Sequence, residues 1–205
     1  MKFAYFNPIV MAVADVPADV YVQLKDMTDI AHSHAECNDA GNQAISIRGG
    51  KQIQLLPNEF GLDSSLLKNY VESQCIEYMT RLEQINGVND LNLYQPTLVS
   101  AWTIKQTAND YQAMHSHEAH ISGNIYIEIP DLLDESNKSD SCLEFRFPQV
   151  KNTAQFVFTD NWQFKPQIMK MVIFPSYIPH TVYPWKGQGS RTILAWDVKL
   201  VLKKC

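Results

Sequence analysis

Charge is scarce in this 205-residue sequence. Asp, Glu, Lys and Arg make up 19% of it, below the usual quarter, and the formal net charge of −5 comes without a block of like charges. The missing basic tract argues against nucleic acid as a partner, and the missing polybasic stretch against an anionic membrane surface. No run approaches the roughly 18 consecutive apolar residues of a membrane span. The opening MKFAYFNPIVMAVADVP has one Lys and a short apolar run, but Asn7 and Pro8 interrupt it and no small-residue cleavage site follows. It reads as a first strand, not a signal peptide. The four cysteines, Cys37, Cys75, Cys142 and Cys205, form no close pair, which excludes zinc-ribbon spacing and a small disulfide scaffold. Reduced thiols in a cytoplasmic setting are the expectation. Repeats, low-complexity tracts and linker composition are also lacking, so 1–205 reads as one domain.

What is there suits a large core. Apolar residues are 45% and aromatics 11%, enough to argue against disorder and for a packed, β-rich fold. Residues 3–13 are β-prone. Asp15-Val-Pro17 predicts a helix start, with a capping carboxylate and Pro in the first turn. Val20, Leu24, Met27, Ile30 and Ala31 follow at near-helical period, and Cys37 to Gly41 reads as the stop. Ile45 and Ile47 alternate with polar residues before a Gly49-Gly50 turn. A second helix is predicted from Asp63-Ser64-Ser65, with a stripe of Leu67, Tyr70, Val71, Cys75, Met79 and Leu82, ending at Asn86-Gly87. After residue 90 short apolar or alternating runs take over, at 91–94, 97–104, 121–129, 142–147, 155–158, 168–174, 180–183 and 191–200. About eight short strands after two helices predict a sandwich or barrel: a helical preface with edge strands over 1–89 and a β core over 90–205.

Histidine is rare, and its distribution is informative. Two His-Ser-His triplets occur among six histidines, at His32/His34 and His115/His117, with His120 and His180 besides. The first triplet falls in the predicted first helix, where residues two apart point about 200° apart and cannot share an ion; it reads as a polar helix end. The second lies in YQAMHSHEAHISGNIYIEIP, where strand character dominates. Residues two apart on a strand share a face, roughly 6.5–7 Å apart, so His115 and His117 can converge on one metal. His180 follows the apolar run VIFPSYIP and sits at a Pro-punctuated rim, a suitable third ligand. Imidazole suits iron, zinc, copper and nickel alike, so spacing does not name the metal. The competing reading is a surface loop with a satisfied, half-buried His180. His120, of opposite parity, reads as a surface residue or one that supports the ligands.

These segments resemble the 2-oxoglutarate–Fe(II) oxygenases found in phage and marine bacterial genomes, a branch of the prolyl-hydroxylase-like double-stranded β-helix (jelly-roll, cupin-like) enzymes. FNPIV, the Pro-initiated helix and GNQAISIRGG resemble that group's opening. SAWTIKQTANDYQAMHSH resembles its Trp-containing strand and HxH motif, and ISGNIYIEIP its SG-x-x-Y-Y strand. CLEFRFP resembles the L-x-F-x-D-P segment, MKMVIFPSYIPHTVYPW the L-x-L-F-P-S segment that carries the distal histidine, and RTILAWDV the R-x-S-x-x-F-N ending. The resemblance covers nearly the whole chain. It implies a jelly-roll barrel buttressed by two helices and an enzyme that uses Fe(II), 2-oxoglutarate and O2 to hydroxylate a protein side chain or a small molecule.

Residue by residue, the resemblance implies His115 and His180 as iron ligands. The wider superfamily places a carboxylate two residues after the first histidine. Here that position is His117, so the site is either three-histidine or takes a carboxylate from Glu118 or Glu144. Arg191 would pair with the distal carboxylate of 2-oxoglutarate, which its planar fork matches. Ser122, Tyr126 and the hydroxyl of Thr192 are further cosubstrate contacts, Tyr126 being also a natural core aromatic. Two alternatives stand beside this: a three-histidine oxygenase of cupin type that does not use 2-oxoglutarate, and a jelly-roll binding or structural module without turnover. The segments 152–164 and 109–111 read as rim or lid loops. If the gene is phage-borne, the cytoplasm is the host's.

Overall fold

In the computed structural model the described residues are 9–34, 47–56, 63–86, 90–132, 138–147 and 161–203. The expected turn at 37–41, Ile45, Gly87, the strand at 155–158 and most of the 152–164 loop lie outside them. The elements are β1 (Ala12–Asp15), α1 (Ala18–Ser33), β2 (Ile47–Arg48), β3 (Lys51–Leu56), α2 (Ser65–Asn86), β4 (Tyr94–Gln106), β5 (Tyr111–His115), β6 (Ile121–Glu128), β7 (Asp131–Leu132), β8 (Leu143–Arg146), β9 (Asn161–Phe164), β10 (Lys170–Pro175), β11 (His180–Val182), β12 (Gly187–Gln188) and β13 (Arg191–Leu202). Every strand pairing is antiparallel. One sheet runs β1-β10-β6-β13-β4-β3, a second β2-β5-β11-β8-β9, and β12 pairs with β7.

The six-stranded sheet is buried on both faces, and this explains its nearly unbroken apolar runs. Along β13 the residues Leu194, Trp196 and Val198 face a core shared with the helices, while Ile193 and Ala195 face the second sheet. The same alternation sends Ile125 and Ile127 of β6 outward and Tyr126 inward, and Met171 and Ile173 of β10 outward and Val172 and Phe174 inward. The outer core takes Leu24, Met27 and Ala31 from α1 and Leu67, Val71, Cys75, Tyr78 and Met79 from α2. Between the sheets, Phe145, Leu143, Phe164 and Val182 close the inner core. At Gly123 on β6 an added Cβ would run into the Trp196 ring and the Val172 carbonyl, so glycine lets the indole lie flat on the backbone.

Several expectations shift. Asp15 does not cap α1. It ends β1, pairs with Lys170 at 2.5 Å, and leaves Pro17 as the N-cap with no side-chain cap bond. The helix ends at Ser33, so His34 lies just past it, and Ile30 is exposed. Residues 91–93 form a 3-10 turn before β4 rather than a strand. The glycine turn is as expected: Gly49 and Gly50 have φ of 76° and 79°, which glycine takes without strain, and they carry the chain from β2 in one sheet to β3 in the other. Where the second helix was expected to begin, Asp63 accepts a hydrogen bond from the Ser65 amide at 2.8 Å ahead of α2.

Candidate metal centre

His180 opens β11, the middle strand of the second sheet, and its direct cross-strand partner on β5 is His115. Directly opposed strand residues hold their side chains side by side, and the two rings meet at a centroid distance of 4.3 Å. His117 reaches them by another route. It is not on the strand: β5 stops at His115, and the same-face argument therefore does not place it. Its amide donates to the Ser176 carbonyl at 2.9 Å, clipping the turn to the β10–β11 loop. Its ring lies 5.3 Å from that of His115 and 5.1 Å from that of His180. One ring nitrogen from each histidine lies within 4.8 Å of the others. Nitrogens sharing a first-row ion at about 2.0–2.1 Å sit roughly 3–4 Å apart, so closing on a metal needs only small ring movements.

Each imidazole has its Nδ1 occupied. His115 Nδ1 donates to the Ala113 carbonyl at 2.7 Å, His180 Nδ1 to the Ile178 carbonyl at 2.9 Å, and His117 Nδ1 to Asp197 Oδ1 at 2.7 Å. A ring that donates from Nδ1 keeps Nε2 as its lone-pair acceptor, the tautomer a metal needs. Burial holds His180 well below the ordinary histidine range and lowers His115, with neighbouring imidazoles adding to both shifts. Imidazoles gathered with their Nδ1 atoms occupied are a poor way to satisfy a core and a suitable way to bind a cation.

The carboxylates expected as alternatives lie elsewhere. Glu118 is exposed past the strand end. Glu144 is 1% exposed but engaged with Arg146 Nε at 2.6 Å, Gln163 at 2.5 Å and Tyr183 at 3.2 Å. Neither joins the histidine cluster. The acidic residue that touches the site is Asp197, which the sequence reading missed. A signal was there: Asp197 has the parity of Arg191, Ile193 and Ala195 along β13, an acid on the same inward face as the arginine. Ser122 also stands behind the histidines rather than in the cavity. Its hydroxyl donates to Asp197 Oδ1 at 2.5 Å and lies 2.8 Å from Ser176 Oγ.

The cavity runs between the sheets from the histidines toward Arg191, walled by Trp102, Phe174, Leu143, Ile193 and Ala195. Its volume of about 40 Å3 exceeds the ~10–15 Å3 that one water needs. Arg191 and Asp197 are six residues apart on β13, roughly 20 Å at strand rise, so they mark opposite ends of that wall. Arg191 is 1% exposed. Its guanidinium donates to the Ser141 carbonyl and hydroxyl at 2.9 and 3.0 Å, to the Tyr183 carbonyl at 3.3 Å and to Gln106 Oε1 at 2.6 Å, and stacks on Trp185 at 4.8 Å. These partners are all uncharged. Burial pulls its pKa down to about 10, against weaker opposing pulls from Tyr126, Cys142 and Asp110. Tyr126 lines the same cavity; burial pushes its phenol up to about 12, against a hydrogen bond with Asn124. Thr192 faces the other way and gives its hydroxyl to Glu128 at 2.9 Å.

The remaining histidines are accounted for separately. His32 is not a simple polar helix end: its Nε2 lies 3.1 Å from Thr103 Oγ1 and ties α1 to β4. His120 is exposed, and its Nδ1 accepts the Leu200 amide at 3.1 Å. A wider groove of about 280 Å3 lies beside α2. Its two charges are already engaged, Glu83 with the Asn92 amide and Lys203 with the Asn92 carbonyl. Of the cysteines, Cys75 and Cys142 are buried free thiols, both raised by burial. No described helix is long and apolar enough to cross a membrane.

Comparison with known proteins bears on the fold that carries these residues. Residues 100–197 match the family described as "Putative 2OG-Fe(II) oxygenase". The matched segment contains all three histidines, Arg191 and Asp197. No curated protein matches the sequence. Among solved structures, a Pseudomonas putida prolyl-4-hydroxylase is similar at 14% identity and a TM-score of 0.57, over 93% of each chain. A viral collagen prolyl hydroxylase from Paramecium bursaria Chlorella virus-1, solved with 2-oxoglutarate, is similar at 11% identity and TM-score 0.55, over 92% of this chain and 94% of that one. A Trichoplax adhaerens prolyl hydroxylase, solved with a hypoxia-inducible-factor peptide, is similar at 16% and 0.57, over 91% and 82%. At such identities the likeness establishes the fold, the double-stranded β-helix. The barrel segment that carries the three histidines is thus the part of the chain similar to 2-oxoglutarate–Fe(II) oxygenases.

Proposed function

We propose that this protein is an Fe(II)- and 2-oxoglutarate-dependent dioxygenase. His115, His117 and His180 hold the iron, and Arg191 anchors the distal carboxylate of the cosubstrate. One observation carries the reading: three imidazoles with occupied Nδ1 atoms converge in the same cavity as a buried guanidinium that has only neutral partners. The donor set fits, since imidazole is a good iron ligand and three protein ligands leave open positions for a chelating keto acid and O2. Iron bound there would supply the oxidising chemistry that converts 2-oxoglutarate to succinate and CO2 and hydroxylates a substrate C–H bond.

The chain's own part is positioning. The Nδ1 hydrogen bonds fix each ring's tautomer and angle. Arg191 is already braced on four oxygens and needs no reorganisation to receive a carboxylate. Leu143, Phe174, Ile193 and Ala195 exclude water along the path between iron and guanidinium. The Tyr126 phenol stays protonated and able to donate into the cavity. The substrate is a protein side chain or a small molecule; among the similar folds is a hydroxylase solved with a peptide, which favours the former. A three-histidine oxygenase that works without a keto acid would have no use for a buried, unneutralised Arg191. Expected in vitro is iron-dependent formation of succinate from 2-oxoglutarate. Unchanged turnover in His180→Ala would refute the assignment.

A further inference from the structure

Of the three histidines, only His117 is backed by a charge. His115 and His180 give their Nδ1 protons to peptide carbonyls two residues upstream, of Ala113 and Ile178, whereas His117 gives its proton to the Asp197 carboxylate at 2.7 Å. That carboxylate is held firmly. Its Oδ1 also accepts from Ser122 at 2.5 Å, and Ser122 is bonded to Ser176 at 2.8 Å. Both serines are fully buried. The side chains of His117 and Asp197 are 12% and 16% exposed, so their interaction is only weakly screened. Among the described residues no lysine or arginine pairs with Asp197. Its charge therefore reaches the metal site without being neutralised on the way.

We infer that Asp197 is a positioning residue for the metal, supplying through His117 the negative charge that a carboxylate ligand would supply directly. The inference rests on the three-histidine reading. A carboxylate on the far nitrogen of a ligating imidazole fixes the ring and raises its basicity, and losing it typically costs 10–100-fold in metal affinity. The geometry also explains how a ligand beyond the end of β5 can be held: the backbone clip to Ser176 sets the turn, and Asp197 sets the ring.

The position of the charge makes a prediction that a merely structural ion pair does not. In the native background, Asp197→Asn keeps the shape and an acceptor oxygen but removes the charge, and weakens cobalt(II) binding by 10-fold or more. In a His117→Asp background a carboxylate at 117 would face the Asp197 carboxylate, and like charges there oppose each other. Adding Asp197→Asn should then strengthen cobalt binding over His117→Asp alone, again by about 10-fold. The same substitution thus acts with opposite sign in the two backgrounds. The measurement is competitive titration of the full-length chain with cobalt(II), read from its visible absorption bands, with apo melting temperatures confirming that each variant folds. Affinity of Asp197→Asn within twofold of the native protein, or the same direction of change in both backgrounds, overturns the inference while leaving the ligands in place. A native protein that does not bind cobalt, or a His180→Ala variant that binds it normally, brings down the three-histidine reading itself. Should Asp197→Asn alone not fold, the comparison of the two His117→Asp proteins still decides the sign.

Discussion

Replacing Arg191 separates a cosubstrate anchor from a purely structural arginine. The side chain makes four hydrogen bonds to neutral oxygens and is buried with no carboxylate partner. Removing it strands buried acceptors worth about 1–3 kcal/mol each, but it also removes a desolvated cation whose burial costs several kcal/mol. These terms oppose each other, so Arg191→Met should change the melting temperature modestly. Cosubstrate binding has no such compensation. A carboxylate entering the cavity would be left buried and unpaired, a loss of about 3–5 kcal/mol, or roughly 10²–10³-fold in affinity at 1.4 kcal/mol per decade. Arg191→Lys keeps the charge but not the fork and should fall between. The assay is calorimetric titration of 2-oxoglutarate into anaerobic, manganese-loaded protein, with melting curves of the same samples. If Arg191→Met bound 2-oxoglutarate within threefold of the native protein, the anchor assignment would be refuted. If only stability moved, Arg191 would be a structural residue.

Three further outcomes are expected. Metal loading should raise the melting temperature of the native protein and not of His180→Ala: an ion at a hundred times its dissociation constant stabilises the folded state by about 2.7 kcal/mol, and equal shifts would exclude a site at His180. Gly123→Ala should destabilise by about 1–3 kcal/mol through overpacking against Trp196 and the Val172 carbonyl, measured by urea denaturation; an unchanged midpoint would mean that the indole moves freely. His32 sits against Thr103 with its pKa lowered from 6.5 to about 4, by burial first and then by Lys105 and Lys51. The unfolded chain takes up that proton first, so this contribution to stability is complete above about pH 6.5 and is lost as pH falls toward 4. The difference in urea midpoint between pH 7 and pH 5 should accordingly shrink in His32→Gln, and an unaltered difference would clear His32 of the effect.

Much of this was legible from local pattern. The 3.6-residue stripe of α2 is buried as the period predicts, from Leu67 to Met79, because a helix that packs on one face must repeat its apolar residues at that spacing. The apolar runs at 97–104, 121–129, 142–147, 168–174, 180–183 and 191–200 coincide with β4, β6, β8, β10, β11 and β13, and Gly49-Gly50 was readable as a pair of residues free to take positive φ. Asp15 misled because a carboxylate ahead of a Pro-initiated helix fits a cap locally, while the tertiary fold uses it to end β1 beside Lys170.

For the metal centre the division falls differently. The sequence by itself determined the ligand candidates, since six histidines in 205 residues leave few ways to assemble three, and it singled out Arg191 through the motif that ends the barrel. It could not decide how they meet. His115 and His180 converge because antiparallel pairing sets them directly opposite each other across 65 residues of chain. His117 joins them from beyond the strand end, through a backbone clip and a carboxylate 80 residues away. Cross-strand register and loop-to-loop hydrogen bonds are long-range facts with no local period in the sequence. So the chain names its three imidazoles, and only the folded barrel brings Asp197 to one of them and seats Arg191 among neutral hydrogen-bond acceptors.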